Sequence, residues 1–122
     1  MNSQDLRRRT QDFALRTIRL AGSLPNNRVG DVLGRQVVKA GTSVGANYCE
    51  AQRASSKRHF VSTLEISLRE ADETTYWLEL IAAAGLVKPR LLQPLIEESK
   101  QLVSIFAAAV RTAKSRPTRQ PT

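Results

Sequence analysis

The sequence predicts an all-α fold, an antiparallel up-down-up-down four-helix bundle. Four stretches carry apolar residues at spacings of three and four, and none alternates with period two over the length of a strand. Short connections rich in turn formers join these stretches, and such links favour antiparallel neighbours. A chain of 122 residues suffices for one core. We therefore expect one bundle domain over residues 1–115 and a disordered basic tail over residues 116–122.

The first predicted helix covers residues 3–21, with Ser3 as its N-cap. One arc of the helix is apolar and is expected to pack: Leu6, Phe13, Ala14, Thr17, Leu20 and Ala21. The opposite arc forms a basic ridge of Arg8, Arg9, Arg16 and Arg19. The turn formers of residues 22–27, GSLPNN, end the helix and reverse the chain.

The second predicted helix runs from Gly30 to Ala51. Its core stripe is Leu33, Val37, Ala40, Val44, Asn47, Tyr48 and Ala51. Beside this stripe lie Gly34, Gly41 and Gly45, each costing roughly 0.5 to 1 kcal/mol relative to alanine in a helix interior. Such a row of glycines indicates close approach of a neighbouring helix. Arg35 and Lys39 lie on a third side and are expected to face water.

Three residues near the end of this helix have expected structural roles. Asn47 is the one strongly polar residue on the core stripe, and a buried amide without partners costs about 1 to 3 kcal/mol. We expect its side chain to bond to another helix and fix the register between them. Tyr48 belongs to the core stripe, and Glu50 lies three residues before Arg53, close enough for an ion pair.

The third predicted helix begins at Ser56 or Lys57, ends near Ala84 and has two apolar stripes. The broad stripe is expected to be core: Phe60, Val61, Leu64, Leu68, Ala71, Thr75, Leu78 and Ala82. Opposite it, Ile66, Trp77 and Leu80 interleave with Glu70 and Glu73. One buried face suffices for a monomer, so the second stripe predicts a subunit interface in a homo-oligomeric ring. We expect the two carboxylates to pair with arginines, within or between subunits, rather than to hold a metal or act in catalysis.

The fourth predicted helix runs from Pro89, at its first position, to about Ser115, after a C-cap at Gly85. Pro94 lies in its first turns and predicts a displaced start or a kink. Its packing face is Leu92, Leu95, Ile96, Leu102, Val103, Phe106 and Ala109.

Composition excludes several classes of protein. Cys49 and His59 are the only residues of their types, so the sequence offers no internal disulfide and no zinc cluster, and we expect no metal or cofactor. No apolar run is long enough to cross a membrane, and the arginine-rich start differs from a secretory signal, which predicts a cytoplasmic location. The net charge of +8 is concentrated in residues 1–58 and 111–122, a distribution that attracts polyanions.

One stretch also resembles a known family. The string SVGANYCEA, then Phe60, then SLREADETTYWLEL closely resembles the bacterial four helix bundle proteins, some of which are encoded by intervening sequences in 23S rRNA genes. A related branch is the accessory protein of diversity-generating retroelements. The likeness is strongest over residues 33–82 and weaker over almost the whole chain. Its most specific positions are Asn47, Tyr48, Glu50, Glu70, Ala71, Asp72, Glu73, Tyr76, Trp77 and Leu78. Gly45 and Ala51 depart from the family's usual residues and place the chain in a sub-branch.

The resemblance implies a homopentamer of short bundles and, from the retroelement branch, a reverse transcriptase or other nucleoprotein partner. The charges predict a non-catalytic scaffold or adaptor that binds RNA or DNA through Arg8, Arg9, Arg16, Arg19, Arg35, Lys39, Arg53, Lys57 and Arg58. One alternative is a metal-free ribonuclease, with His59 as general acid or base and Arg53 stabilising the phosphorane. Another is a purely structural ring that binds no nucleic acid.

Overall fold

The computed structural model describes residues 1–117 and contains four helices in this range. They are α1 (Ser3–Gly22), α2 (Arg28–Ala51), α3 (Lys57–Ala83) and α4 (Pro89–Ser115). Each helix packs on the next, and α4 closes the bundle against α1. Ion pairs from Lys100 to Glu79 and from Lys114 to Glu65 fix α3 and α4 as antiparallel neighbours. The predicted four-helix fold is confirmed, and none of the described helices is long and apolar enough to cross a membrane.

Side-chain caps explain where the helices begin. Asn2, not the predicted Ser3, caps α1, because its side chain accepts the Asp5 amide while Asp5 accepts the Asn2 amide. Asn27 caps α2 through the Gly30 amide, so α2 starts two residues before the predicted Gly30. Ser56 caps α3 through the His59 amide.

The α3–α4 connection contains the predicted glycine C-cap at Gly85. Gly85 has a φ of +68° just after α3, where glycine is favoured because it has no Cβ to clash. Its amide donates to the Ala82 carbonyl, which closes the last turn of the helix. Pro94 does not displace the start of α4, which runs unbroken from Pro89 with Pro94 exposed on its surface.

The glycines of α2 face α1. A Cβ built on Gly41 would lie 2.6 Å from the Thr17 side chain, and one on Gly45 would lie 3.0 Å from Thr10 Oγ1. The predicted close approach is therefore confirmed at these two positions. Gly34 is different, because its nearest neighbour would be Leu24 at an ordinary 3.5 Å.

Buried hydroxyl groups, not Asn47, make hydrogen bonds between helices inside the bundle. Ser67 Oγ of α3 donates to the Val44 carbonyl of α2 at 2.9 Å, and Thr75 Oγ1 donates to Ser99 Oγ of α4 at 2.7 Å. Asn47 is half-buried, and its Nδ2 donates to the Ser43 carbonyl of its own helix. The predicted bond from Asn47 to another helix is wrong. Asn47 lies at the half-exposed edge of the core stripe, where its amide bonds to the carbonyl one turn earlier in α2. Tyr48 is buried as predicted and packs edge-on against Phe106.

Candidate nucleic-acid interface

Cations from two distant parts of the chain meet at one end of the bundle. The antiparallel order brings the α2–α3 connection, residues 52–56, beside the C-terminus of α4. Lys57, Arg58 and Lys114 line one depression there together with Glu65. Arg53 lies in the connection itself, and Arg116 follows the last turn of α4. We call these five cations, Arg53, Lys57, Arg58, Lys114 and Arg116, the basic end.

Two of these cations already bind other groups within the protein. Lys57 Nζ donates to the carbonyls of Lys114 and Arg116, where it satisfies the C-terminus of α4 and meets the negative end of that helix. Lys114 Nζ lies 3.3 Å from Glu65 Oε2. Arg53, Arg58 and Arg116 are exposed and form no ion pair within residues 1–117. These three guanidinium groups are free to meet phosphates.

The predicted ridge on α1 is not a single surface. Arg9 is half-buried and points at α4, where its Nε and Nη2 donate to the two Glu98 carboxylate oxygens, each at 2.7 Å. Its side-chain hydrogen bond to Glu98 raises the pKa of Arg9. Placing Arg9 on an exposed ridge was therefore wrong, because α4 covers that edge of α1. Arg16 is half-buried over Leu91 and Leu95, whereas Arg8 and Arg19 are exposed.

The cations of α2 lie away from the basic end. Arg35 and Lys39 are exposed in the first half of α2, and Lys39 acts electrostatically on Glu70 of α3. Burial raises the pKa of Glu70, and the neighbouring Glu73 carboxylate raises it further, against smaller opposing effects of Lys39 and Arg69. Neither Glu70 nor Glu73 has an ion-pair partner within residues 1–117. Their pairing between subunits stays a prediction.

The predicted interface stripe is partly covered within the subunit. Trp77 is half-buried against the core, and its indole Nε1 is inaccessible and has no hydrogen-bond partner among the described residues. Tyr76 packs edge-on against this indole, with ring centroids 5.1 Å apart. Ile66 is half-buried, and Leu80 remains 37% exposed. We call Ile66, Glu70, Glu73, Trp77 and Leu80 the outer α3 stripe.

Glu50 does not pair with Arg53. Its Oε1 lies 3.8 Å from Nε2 of His59, in the first turn of α3. The predicted Glu50–Arg53 pair is wrong. Among residues 1–117, no three His, Cys, Asp or Glu side chains are grouped to hold a metal ion.

Sequence reasoning missed Lys114 as a member of the basic surface. Lys114 is 57 residues from Lys57, and nothing in its neighbours along the chain distinguishes it from other solvated cations. Only the antiparallel packing of α3 on α4 brings the two together. The predicted tail over residues 116–122 falls mostly outside the described residues, since 118–122 are not described.

Known proteins share this arrangement of helices. Residues 3–108 match the family described as 23S rRNA-intervening sequence protein. The chain belongs to this family. A similar solved structure is a protein of unknown function from the S23 ribosomal protein family of Bacteroides thetaiotaomicron, with 30% identity and a TM-score of 0.84. The likeness covers 91% of this chain and 99% of that one.

No curated protein has significant sequence similarity to this family member. The resemblance to the bacterial four helix bundle proteins is thus confirmed at the level of family and fold. The matched residues include α1, α2 and α3 and most of α4. Arg53 and Arg58 lie inside the matched range, whereas Lys114 and Arg116 lie beyond it.

Proposed function

We propose that the protein is a non-catalytic homo-oligomeric scaffold that binds the phosphate backbone of RNA or DNA through its basic end. The observation that carries this proposal is the convergence of Arg53, Arg58 and Arg116, all exposed and free of ion pairs within residues 1–117. Each guanidinium that neutralises a phosphate releases counterions and strengthens binding at low salt. Repetition of the basic end around an oligomer would multiply these contacts.

Binding through this surface should depend little on sequence. Arginine contacts to phosphates position a protein on nucleic acid without reading its bases. The exposed cations of the basic end come from a connection and from helix ends, so the basic end presents no row of cations along one helix face. The expected ligand is therefore any RNA or DNA backbone.

A charge-matched pair of variants tests this proposal. The first replaces Arg53, Arg58 and Arg116 by Gln at the basic end. The second replaces Arg28, Lys88 and Arg90, exposed at the opposite end, by Gln and lowers the net charge equally. Fluorescence anisotropy with a labelled single-stranded RNA across a salt series then measures the slope of log K against log salt.

We expect the first variant to lose affinity and its slope to become shallower by about 2, since each single-strand phosphate contributes roughly 0.7. The second variant should bind nearly as the wild type does. Equal losses in both variants would mean that net charge alone attracts RNA. No salt-dependent binding by the wild type would leave a purely structural ring.

The outer α3 stripe supports the oligomeric part of the proposal. Leu80 is 37% exposed, and an apolar side chain so placed gains by burial against a second copy. Leu80→Arg should lower the mass measured by light scattering while helicity is kept. Leu91→Arg, on α4 where the leucine is 52% exposed, is the matched control and should leave the mass unchanged. An unchanged mass in both variants would contradict an interface at this stripe.

A further inference from the structure

A cavity of about 610 Å³ opens at the basic end. Each helix contributes an apolar side chain to its wall, with Leu6 from α1, Ala51 from α2, Leu64 from α3 and Ala113 from α4. Ligand pockets for small molecules span roughly 300 to 1,000 Å³ and are mainly apolar with a few polar groups. The cavity has this size and this type of wall, and no residue of the 52–56 connection is large and apolar enough to fill it.

One polar group on the wall of this cavity makes no hydrogen bond within residues 1–117. Tyr48 lines the cavity and is only 5% exposed. Its hydroxyl makes no hydrogen bond within residues 1–117, although it is not sealed from solvent as the Trp77 indole nitrogen is. A phenol hydroxyl in such a place normally has a partner. An acceptor atom on a ligand in the cavity would satisfy it.

The rim of the cavity is cationic and polar. Lys57 and Arg116 line it on one side, and Gln52, Ser56 and Thr112 add polar atoms. No Asp or Glu lines the cavity. An apolar interior below a positive rim fits a molecule with an apolar body and a negative head.

We propose that this cavity binds an amphipathic carboxylate with a single medium-length acyl chain. The chain lies between Leu6, Leu64 and Ala113, and the carboxylate stays at the rim near Arg116. The Tyr48 hydroxyl donates to one carboxylate oxygen. The proposed function also uses Arg116, but the apolar walls and the Tyr48 hydroxyl take no part in phosphate binding, so either proposal can fail without the other.

The test is isothermal titration calorimetry of the full chain with octanoate and decanoate. Decanoate should bind more tightly by about fifteenfold, since it has two more methylenes and each buried methylene contributes roughly fourfold. Decyltrimethylammonium, with the same chain and a positive head, should bind far more weakly than decanoate. Equal affinity for the two head groups, or no dependence on chain length, would overturn the proposal.

Two variants locate the ligand. Ala109→Leu narrows the cavity from a half-buried wall position and should weaken decanoate binding, whereas Ala108→Leu, one residue away and exposed, should not. Tyr48→Phe keeps the ring against Phe106 and removes only the hydroxyl, so affinity should fall by about two- to tenfold.

Thermal unfolding checks that each variant is folded. If Ala109→Leu and Ala108→Leu bind decanoate equally well, the ligand lies elsewhere and the proposal fails. RNA retention by Ala109→Leu should equal that of the wild type, because the substitution removes no cation. The double variant Arg53→Gln with Arg58→Gln keeps Arg116, so loss of RNA retention with unchanged decanoate affinity in this variant would separate the two functions.

Discussion

The two ends of the bundle are closed in different ways. At the end formed by the α1–α2 and α3–α4 connections, Leu24 and Val87 enter the core and are only 9% and 8% exposed. At the basic end, the connection of residues 52–56 reads QRASS and contributes no large apolar side chain. One end therefore caps the core, and the other leaves a cavity beneath exposed arginines.

Because of this difference, we assign stability mainly to the capped end and ligand binding to the basic end. Clustered like charges destabilise a folded chain, and the side chains of Arg53, Arg58 and Arg116 make no ion pair within residues 1–117 that would offset this cost. The capped end holds the bundle together through buried connections. At the basic end, Arg53, Arg58 and Arg116 are free to meet a ligand because no ion pair within residues 1–117 holds their side chains.

The largest expected effect is at the capped end. Gly30 is buried there, and a Cβ on it would overlap the Pro25 carbonyl oxygen. Gly30→Ala should therefore force the connection to move and cost about 3 kcal/mol of unfolding free energy in urea. Gly34→Ala, whose Cβ meets only ordinary contacts, is the control and should be neutral or stabilising. Equal stability of the two variants would show that the capped end tolerates rearrangement.

A smaller effect compares the two ends directly. Leu24→Ala should cost about 2 kcal/mol, because it opens a space in the core beneath the α1–α2 connection. Gln52→Ala, in the exposed connection of residues 52–56 at the basic end, should change stability by less than about 0.5 kcal/mol. Chemical unfolding measures both. A large loss from Gln52→Ala would contradict the view that the basic end is dispensable for folding.

The smallest effect concerns the side of the bundle between the two ends. Burial raises the pKa of Glu70 in the folded state, so ionisation of this carboxyl disfavours folding. Wild-type stability should therefore fall as pH rises through that raised pKa, and Glu70→Gln should melt at a higher temperature at pH 7.

The gain from Glu70→Gln should shrink as pH falls and the wild-type carboxyl becomes protonated. Glu97→Gln, at an exposed position of α4, is the control and should change the melting temperature little at either pH. A gain that persists unchanged at acid pH would show that the amide stabilises the fold for reasons other than charge.

Most of the fold was predictable because its signals are local. Helical periodicity and turn formers predicted all four helices, with starts and ends within about two residues of those observed. The errors are also local in origin. Asn2 outcompetes Ser3 as a cap because only Asn2 has Asp5 three residues later, and Pro94 is accommodated on an exposed face of α4.

The candidate site was predictable only in part. Arg53, Lys57 and Arg58 are neighbours along the chain and were recognised together, but Lys114 joins them only through packing of α4 on α3. In the sequence, nothing distinguishes Arg9 from the exposed arginines beside it, and only the fold shows that its side chain pairs with Glu98. Pairings across the bundle depend on side chains far apart in sequence, which periodicity alone does not connect.

Hydrogen–deuterium exchange with single-stranded RNA tests most directly whether the basic end binds nucleic acid. We expect RNA at low salt to slow exchange in residues 52–58 and 111–117, and added salt to reverse this protection. Exchange in residues 23–30 and 84–91, at the capped end, should be unaffected. Protection at the capped end instead, or none anywhere at a concentration that saturates RNA binding, would contradict binding at the basic end.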